Sequence, residues 1–200
     1  MIATAEKPDT FSAARKAMID SQLRTSGVNA PFVLERMGAV AREDFVPEAA
    51  RGTAYMDRAI RLADGGFLPA PLFHGMMLEE AHPTPADNVL IVDGGSGYLA
   101  ELVRPLVGSL EVIDAEKGAA GKAKTRDASL LLVDGAIEHL PAALAKRLAD
   151  NGRVVTGLVE RGVTRLATGR KVGGTLSLLP LAETGIPRMG QFDKPPSWSF

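Results

Sequence analysis

The chain contains no cysteine. Disulfides and thiolate metal sites are therefore excluded, and the redox compartment is left unmarked. It has almost no net charge: 23 Lys and Arg against 24 Asp and Glu give −1. Electrostatics thus give no reason to expect nucleic acid or an anionic membrane as a partner. No window is long and apolar enough to cross a bilayer, which takes roughly 20 residues. The opening residues MIATAEKPD hold charges and no apolar run, which predicts no signal peptide and makes the cytoplasm the expected location. The three histidines, His74, His82 and His139, lack partners at metal-ligand spacing, so no metal site is expected. There is no internal repeat and no low-complexity tract.

What the chain does have is ordinary for a globular protein: 200 residues, 46% of them apolar and 24% charged, enough for one domain or one domain with an appendage. Its most informative stretch is residues 89–98, VLIVDGGSGY. The run 89–92 is apolar without polar alternation, which suits a strand covered on both faces. Glycines follow at 94, 95 and 97, and glycine permits positive φ and close approach of a ligand to the backbone. Residues 99–106 then start a helix, whose free N–H groups would face the turn. This is the nucleotide-binding corner of a doubly wound α/β sheet. A turn of this kind also serves packing alone. The spacing departs from G-x-G-x-x-G, and Asp93 stands where a G-x-G-x-G turn has its first glycine. That argues against a dinucleotide enzyme and towards the methyltransferase form of this sheet.

Helical periodicity marks residues 11–25, with Phe11, Ala14, Met18 and Gln22 on one face, joined by Ile19 and Leu23, and Gly27 as the stop. Asn29 is placed to cap a second helix over 32–37. A third runs over 72–81, closed by His82 and Pro83, and Met76 and Met77 on it read as core. Strands are predicted over 89–92, 110–113, 129–133 and 153–156. Residues 163–168 and 175–179 read as a closing antiparallel pair turning near 171–174. Pro141 is expected to open a helix over 142–149, ended by Asn151 and Gly152. Residues 1–10 read as a loose leader, and 192–200 as an extended tail whose aromatics pin it to the surface. The expected division is residues 1–88 as leader and helical cap of the same domain, and 89–200 as the core.

Five segments, in order, resemble protein-L-isoaspartate O-methyltransferases. ARKAMIDSQLR at 14–24, followed by Gly27 and Val28, resembles the family's M-V-x-x-Q-L-R-x-x-G-V. REDFVP at 42–47 resembles P-R-E-x-F-V-P, and AYMD at 54–57 resembles A-Y-x-D. GSGY at 95–98 resembles the end of V-L-E-I-G-T-G-S-G-Y, and NGRVV at 151–155 resembles G-G-R-L-V. The resemblance runs from about residue 14 to the C-terminus with one gap. It implies a Rossmann-like methyltransferase sheet with N-terminal helices and an antiparallel C-terminal strand pair. It also implies S-adenosylmethionine as cofactor and isoaspartyl residues of proteins or peptides as substrate.

Three departures bear on chemistry. The family's loop G-Q-T-I-S-x-P carries a hydroxyl that contacts the reacting carboxylate. Here GGFLPAP at 65–71 has none, and Pro69 stands at the serine position. The acidic residue on the first strand is replaced by Ile91. Asp93 either takes over its role of holding the methionine ammonium or caps the turn. Third, Asp114 fits the acidic residue that binds a ribose hydroxyl pair, yet only residues 115–128 separate it from the next apolar strand. The family places a helix, an edge strand and an adenine loop there. A helix needs about ten residues and a strand about five before any loops, so the edge strand and adenine loop are expected to be missing. Lys117, Lys122, Lys124 and Arg126 in that interval read either as a phosphate patch or as a mobile basic loop.

The cofactor-binding set that follows from the resemblance is Asp93, Gly94, Gly95, Ser96, Gly97, Asp114 and Asp134. Asp134 ends the central strand, where ligands bind in open α/β sheets. His74 is expected on a helix surface. Tyr55 and Asp57 read either as part of the substrate side or as a structural turn. No catalytic residue is assigned. Two readings stay open. One is a degenerate member with a damaged cofactor pocket, acting as a binding or assembly module, with the exposed edge 110–113 or the N-terminal helices making a homodimer. The other is an active S-adenosylmethionine-dependent protein-L-isoaspartate (D-aspartate) carboxyl O-methyltransferase in protein repair.

Overall fold

The computed structural model describes residues 10–194. Its N-terminal part is helical. It holds α1 (Thr10–Met18), continued by a π turn (Ile19–Leu23) and a 3-10 turn (Arg24–Ser26), and then α2 (Pro31–Ala39). Two short strands, β1 (Ile60–Arg61) and β2 (Phe67–Leu68), pair antiparallel ahead of α3 (Pro71–Ala81). The main sheet is built from β3 (Asn88–Val92), β4 (Ser109–Ile113), β5 (Ala128–Ile137), β6 (Leu148–Glu160), β7 (Val163–Val172) and β8 (Thr175–Glu183). The connecting helices are α4 (Tyr98–Val103), α5 (Ala115–Ala119) and α6 (Ala142–Ala145). No helix among the described residues is long and apolar enough to cross a membrane.

The strand order is β4-β3-β5-β6-β7-β8. β4, β3, β5 and β6 run parallel, and β7 and β8 close the sheet antiparallel. The chain leaves β3 for β4 on one side and returns to β5 on the other, so a topological switch point lies between β3 and β5. In such sheets ligands bind at the carboxyl ends beside that point. No strand lies between Ile113 and Ala128, so β4 is the edge. The carboxylate of Glu111 on β4 accepts from the backbone N–H groups of Lys124 and Thr125, tying the short connection back to it.

The apolar strands are covered on both faces, as their lack of alternation predicts. Val89, Ile91, Leu130 and Leu132 join one cluster with Met18, Leu23, Phe73 and Met77. Leu90, Val92, Leu131 and Val133 join the other with Leu144 and Phe192. That second face is thinly roofed, because α5 and α6 are only five and four residues long. One bidentate pair fixes the bottom of the sheet. The Arg153 guanidinium donates to both oxygens of Asp87 at 2.9 and 2.7 Å and holds that carboxyl well below the usual carboxylate range.

Four local expectations need correction. The first helix is α-helical only to Met18 and finishes as wider and then tighter turns. Asn29 does not cap α2. Ala30 is the N-cap, Pro31 sets the first helical φ, and the carboxylate of Glu79 on α3 accepts from the N–H groups of Asn29 and Ala30. The helix expected over 142–149 is one turn, and Leu148 already begins β6, where Ala128 is its partner. Asn151 and Gly152 therefore lie inside a strand, with Asn151 at φ 64° as part of an irregularity. Phe192 does not pin a tail to the surface: it is fully buried in the second core. The remainder of that predicted tail (195–200) and most of the predicted leader (1–9) lie outside the described residues.

Candidate functional site

A cleft of about 660 Å³ opens at the carboxyl ends of β3, β4 and β5. Of the seven residues expected at a cofactor site, it brings together five: Asp93, Gly94, Gly95, Asp114 and Asp134. Ser96 and Gly97 belong to the same turn but do not line the cleft. Ser96 Oγ instead accepts from the Tyr98 N–H at 3.2 Å.

The glycine turn is closed by its own aspartate. Asp93 accepts from the N–H of Gly95 at 2.9 Å and of Gly97 at 3.0 Å, across two residues with φ of 111° and 71°. Burial and the nearby Asp134 carboxylate push the Asp93 carboxyl up to about 6, against these two hydrogen bonds, which favour its ionised form. A raised carboxyl pKa means that the folded state holds the proton longer than the unfolded chain. Asp93 therefore lowers stability as pH rises from about 4 to about 6. The Gly95 and Gly97 amide resonances are expected to titrate together with a midpoint near 6. A common midpoint near 4 would mean that Asp93 sits in bulk water.

The loop ahead of α3 lies on this turn. The Phe67 N–H donates to the Gly94 carbonyl at 3.0 Å, and Phe67 bridges Gly95. A Cβ on Gly66 would sit 2.5 Å from the Gly94 oxygen, so only glycine fits. The Gly65-Gly66 pair signalled an irregular loop, but its contact with a turn nearly 30 residues away had no local signature. The far wall, with Arg188 and Met189, gave no signal in sequence.

Asp114 stands at the end of β4. It accepts from the Lys117 N–H as the N-cap of α5 and pairs with Lys117 Nζ at 2.7 Å. Tyr55 and Asp57 are held in structural roles. Arg15 Nε donates to the Tyr55 hydroxyl at 2.7 Å, and that hydroxyl donates to Glu43. Burial, with the Glu43 bond second, pushes the Tyr55 hydroxyl up to about 12. Asp57 accepts from the Leu72 N–H at the start of α3. Lys122 and Arg126 border a separate depression, away from the cleft, with Lys146 and Arg147.

The expectation for His74 is overturned. It is not on a helix surface; it is fully buried, and its Nε2 lies 2.8 Å from Asp134 Oδ1. The reason is that α3 is buried over most of its surface, with Phe73, Gly75, Met77 and Leu78 beside His74, and only the stripe of Leu72, Met76, Glu79 and Glu80 reaches solvent. On the other side, His74 Nδ1 is 3.3 Å from Nη1 of Arg42, itself 0% exposed. Arginine has no acceptor, so Nδ1 accepts and the ring proton sits on Nε2, donated to Asp134. Arg42 also donates to the carbonyls of Ala54 and Pro69 and lies over the Tyr98 ring at 5.1 Å. Burial lowers its pKa, with Tyr98 and Asp134 opposing. No metal-binding group of three or more His, Asp or Glu occurs among the described residues.

Comparison with known proteins bears on the family and the fold. The sequence profile of the protein-L-isoaspartate(D-aspartate) O-methyltransferase family matches residues 13–124. The chain is 30% identical over 205 residues to the protein-L-isoaspartate O-methyltransferase of Roseiflexus sp. (strain RS-1), covering 90% of this chain and 94% of that one. It is also 30% identical over 213 residues to that of Koribacter versatilis (strain Ellin345), covering 93% and 96%. A Plasmodium falciparum structure assigned to the same activity, in complex with S-adenosyl-L-homocysteine, shares the fold. Its TM-score is 0.68 at 17% identity, over 90% of this chain and 98% of that one. A second structure, named protein-L-isoaspartate O-methyltransferase, gives 0.70 at 17% identity over 88% and 66%. The Rossmann-like sheet, the ordered N-terminal motifs and these matches together place the chain in the protein-L-isoaspartate(D-aspartate) O-methyltransferase family.

Proposed function

We propose that this protein is a member of the family that no longer transfers methyl groups and keeps the fold as a binding and assembly module. One observation carries the reading: the stretch between β4 and β5 holds a five-residue helix and a turn, where the family has an edge strand and an adenine loop. The residues present do not fit S-adenosylmethionine. Between Asp114 and Ala128 there is only α5 and the turn that follows, where the family has its adenine loop. Asp114, at the ribose position, is engaged as a helix cap and with Lys117. The Gly95 and Gly97 N–H groups, which such a turn offers to a ligand, are taken by Asp93. The loop before α3 lacks the hydroxyl that the family brings to the substrate carboxylate.

Titration calorimetry with S-adenosylmethionine and S-adenosylhomocysteine tests this. The expected result is no heat at millimolar ligand. A micromolar Kd, followed by methyl transfer to an isoaspartyl peptide that Asp114→Ala abolishes, would instead establish an active carboxyl methyltransferase in protein repair. The module is further proposed to self-associate through the β4 edge. Among the described residues that edge has no strand beside it, and Val112 on it is 39% exposed; such edges tend to be paired or covered. Light scattering at micromolar concentration is expected to give the mass of a dimer, and a monomer mass would remove the edge from consideration.

A further inference from the structure

Four cations converge on a depression of about 610 Å³ at the other end of the sheet from the cleft. Lys122 and Arg126 come from the connection between α5 and β5, and Lys146 and Arg147 from that between α6 and β6. They stand ahead of the amino ends of β5 and β6, whereas the cleft lies at the carboxyl ends. Asp127 is the one carboxylate lining the depression among the described residues. The four basic residues of the shortened connection are thus divided. Lys117 is paired with Asp114, Lys124 does not line the depression, and Lys122 and Arg126 meet two more cations from the end of α6.

The two walls are held at a fixed spacing. A Cβ on Gly121 (φ 63°) would sit 2.5 Å from that of Ala143, so the end of α5 packs directly on α6. Arg147 Nε donates to the Gly121 carbonyl at 3.1 Å, and the Ala128 N–H donates to the Arg147 carbonyl at 2.9 Å. The Lys122 N–H donates to the Lys117 carbonyl at 2.8 Å, and Glu111 holds the N–H groups of Lys124 and Thr125. The backbone under these cations is therefore anchored. Their charges are not used: the Lys122, Arg126 and Lys146 side chains have no hydrogen-bond or ion-pair partner among the described residues. Like charges held together repel, and a concave surface lined by one sign concentrates the opposite ion. An Arg fork takes phosphate oxygens two at a time, and Lys adds a point charge. No aromatic side chain lines the depression, so it offers a base nothing to stack on.

We propose that this depression binds a soluble diphosphate group, with Lys122 and Arg126 on one wall and Lys146 and Arg147 on the other. Cations on both walls call for an anion that reaches across, which two linked phosphates do. The volume suits a small ligand. Arg147 also props Gly121, so it positions one wall as well as contributing charge. The site lies apart from the cleft and stands whether or not methyl transfer is lost.

Calorimetry with inorganic pyrophosphate at low salt, where screening is least, tests it. The expected result is saturable binding at one site, weakened about tenfold by Arg126→Gln and by Lys146→Gln, as for loss of one charge-assisted donor. Lys16→Gln, which removes the same charge from an exposed position on α1, should leave it unchanged. In the ¹⁵N spectrum of the wild-type protein, pyrophosphate should move the Gly121 and Lys146 amides and leave that of Gly95 at the cleft. No saturable heat at millimolar pyrophosphate, equal weakening by all three variants, or movement of Gly95 in place of Gly121 would overturn the site. Flotation with vesicles containing phosphatidic acid is the second arm, and no co-flotation is expected. Co-flotation that pyrophosphate competes away would uphold the site and make its source a lipid headgroup. Co-flotation without pyrophosphate binding would overturn the diphosphate.

Discussion

Replacing Arg42 by alanine should lower the unfolding free energy by about 3–5 kcal/mol, the range seen when one partner of a buried ionic group is removed. The argument rests on where the charges go. Arg42 is fully buried and touches no carboxylate directly. Its positive charge is balanced through His74 by Asp134, also buried. Without the guanidinium, the Ala54 and Pro69 carbonyls lose their donor, His74 Nδ1 loses its donor, and Asp134 is left as an uncompensated buried anion. Arg42→Lys keeps the charge but cannot reach three acceptors with one fork, so an intermediate loss is expected. Guanidinium denaturation with an unchanged slope would measure both. A loss below about 1 kcal/mol for Arg42→Ala would mean that water already serves these groups.

Phe192→Ala should cost a similar amount, about 3–5 kcal/mol, the usual range for emptying a buried phenylalanine site. The ring comes from a 3-10 turn near the end of the chain (Gly190–Phe192), yet it is fully buried among Val92, Leu131 and Leu144. The packing is close: a Cβ on Gly118 of α5 would meet Val92 Cγ1 at 2.7 Å and the Phe192 ring at 3.1 Å. The backbone is fixed as well, because the Phe192 carbonyl is 3.0 Å from His139 Nδ1. Helices of four and five residues cannot roof this face alone, so Phe192 supplies cover that a longer helix would give elsewhere. Thermal unfolding of Phe192→Ala and Phe192→Leu should show leucine recovering much of the loss. If alanine costs nothing, the roof is made by α5 and α6 after all.

How much of this was legible in the sequence depends on how local the cause is. The parallel strands were, because Val89 to Val92 and Leu130 to Val133 are apolar at every position and fill both cores. The missing edge strand was also legible, since too few residues separate Asp114 from Ala128 to hold it. Asp93, Asp114 and Asp134 of the cleft were found from the resemblance and their places at strand ends, whereas Asp64 and Glu116 were not. The relay behind them was not. Arg42, His74 and Asp134 are 32 and 60 residues apart, and although Arg42 opens the REDFVP motif and Asp134 was placed at a strand end, nothing local links either to His74. Only the packing of α3 against the sheet turns an apparent surface histidine into a buried link. Asn29 misled for a related reason: the acceptor at the start of α2 comes from Glu79, far along the chain.

The π turn over Ile19–Leu23 bears on how relatives are lined up against this chain. The Arg24 N–H reaches back five residues to the Ile19 carbonyl, one more than in an α-helix. Met18 and Leu23, five apart, are both fully buried; in a regular α-helix they would stand about 140° apart, at opposite margins of that face. A relative with one residue fewer here would bury the same two side chains from an ordinary helix. A single-residue gap at this point thus marks a change of winding and no loss of packing, and alignments that force the gap into the loop at Gly27 would misassign the residues between the π turn and that loop.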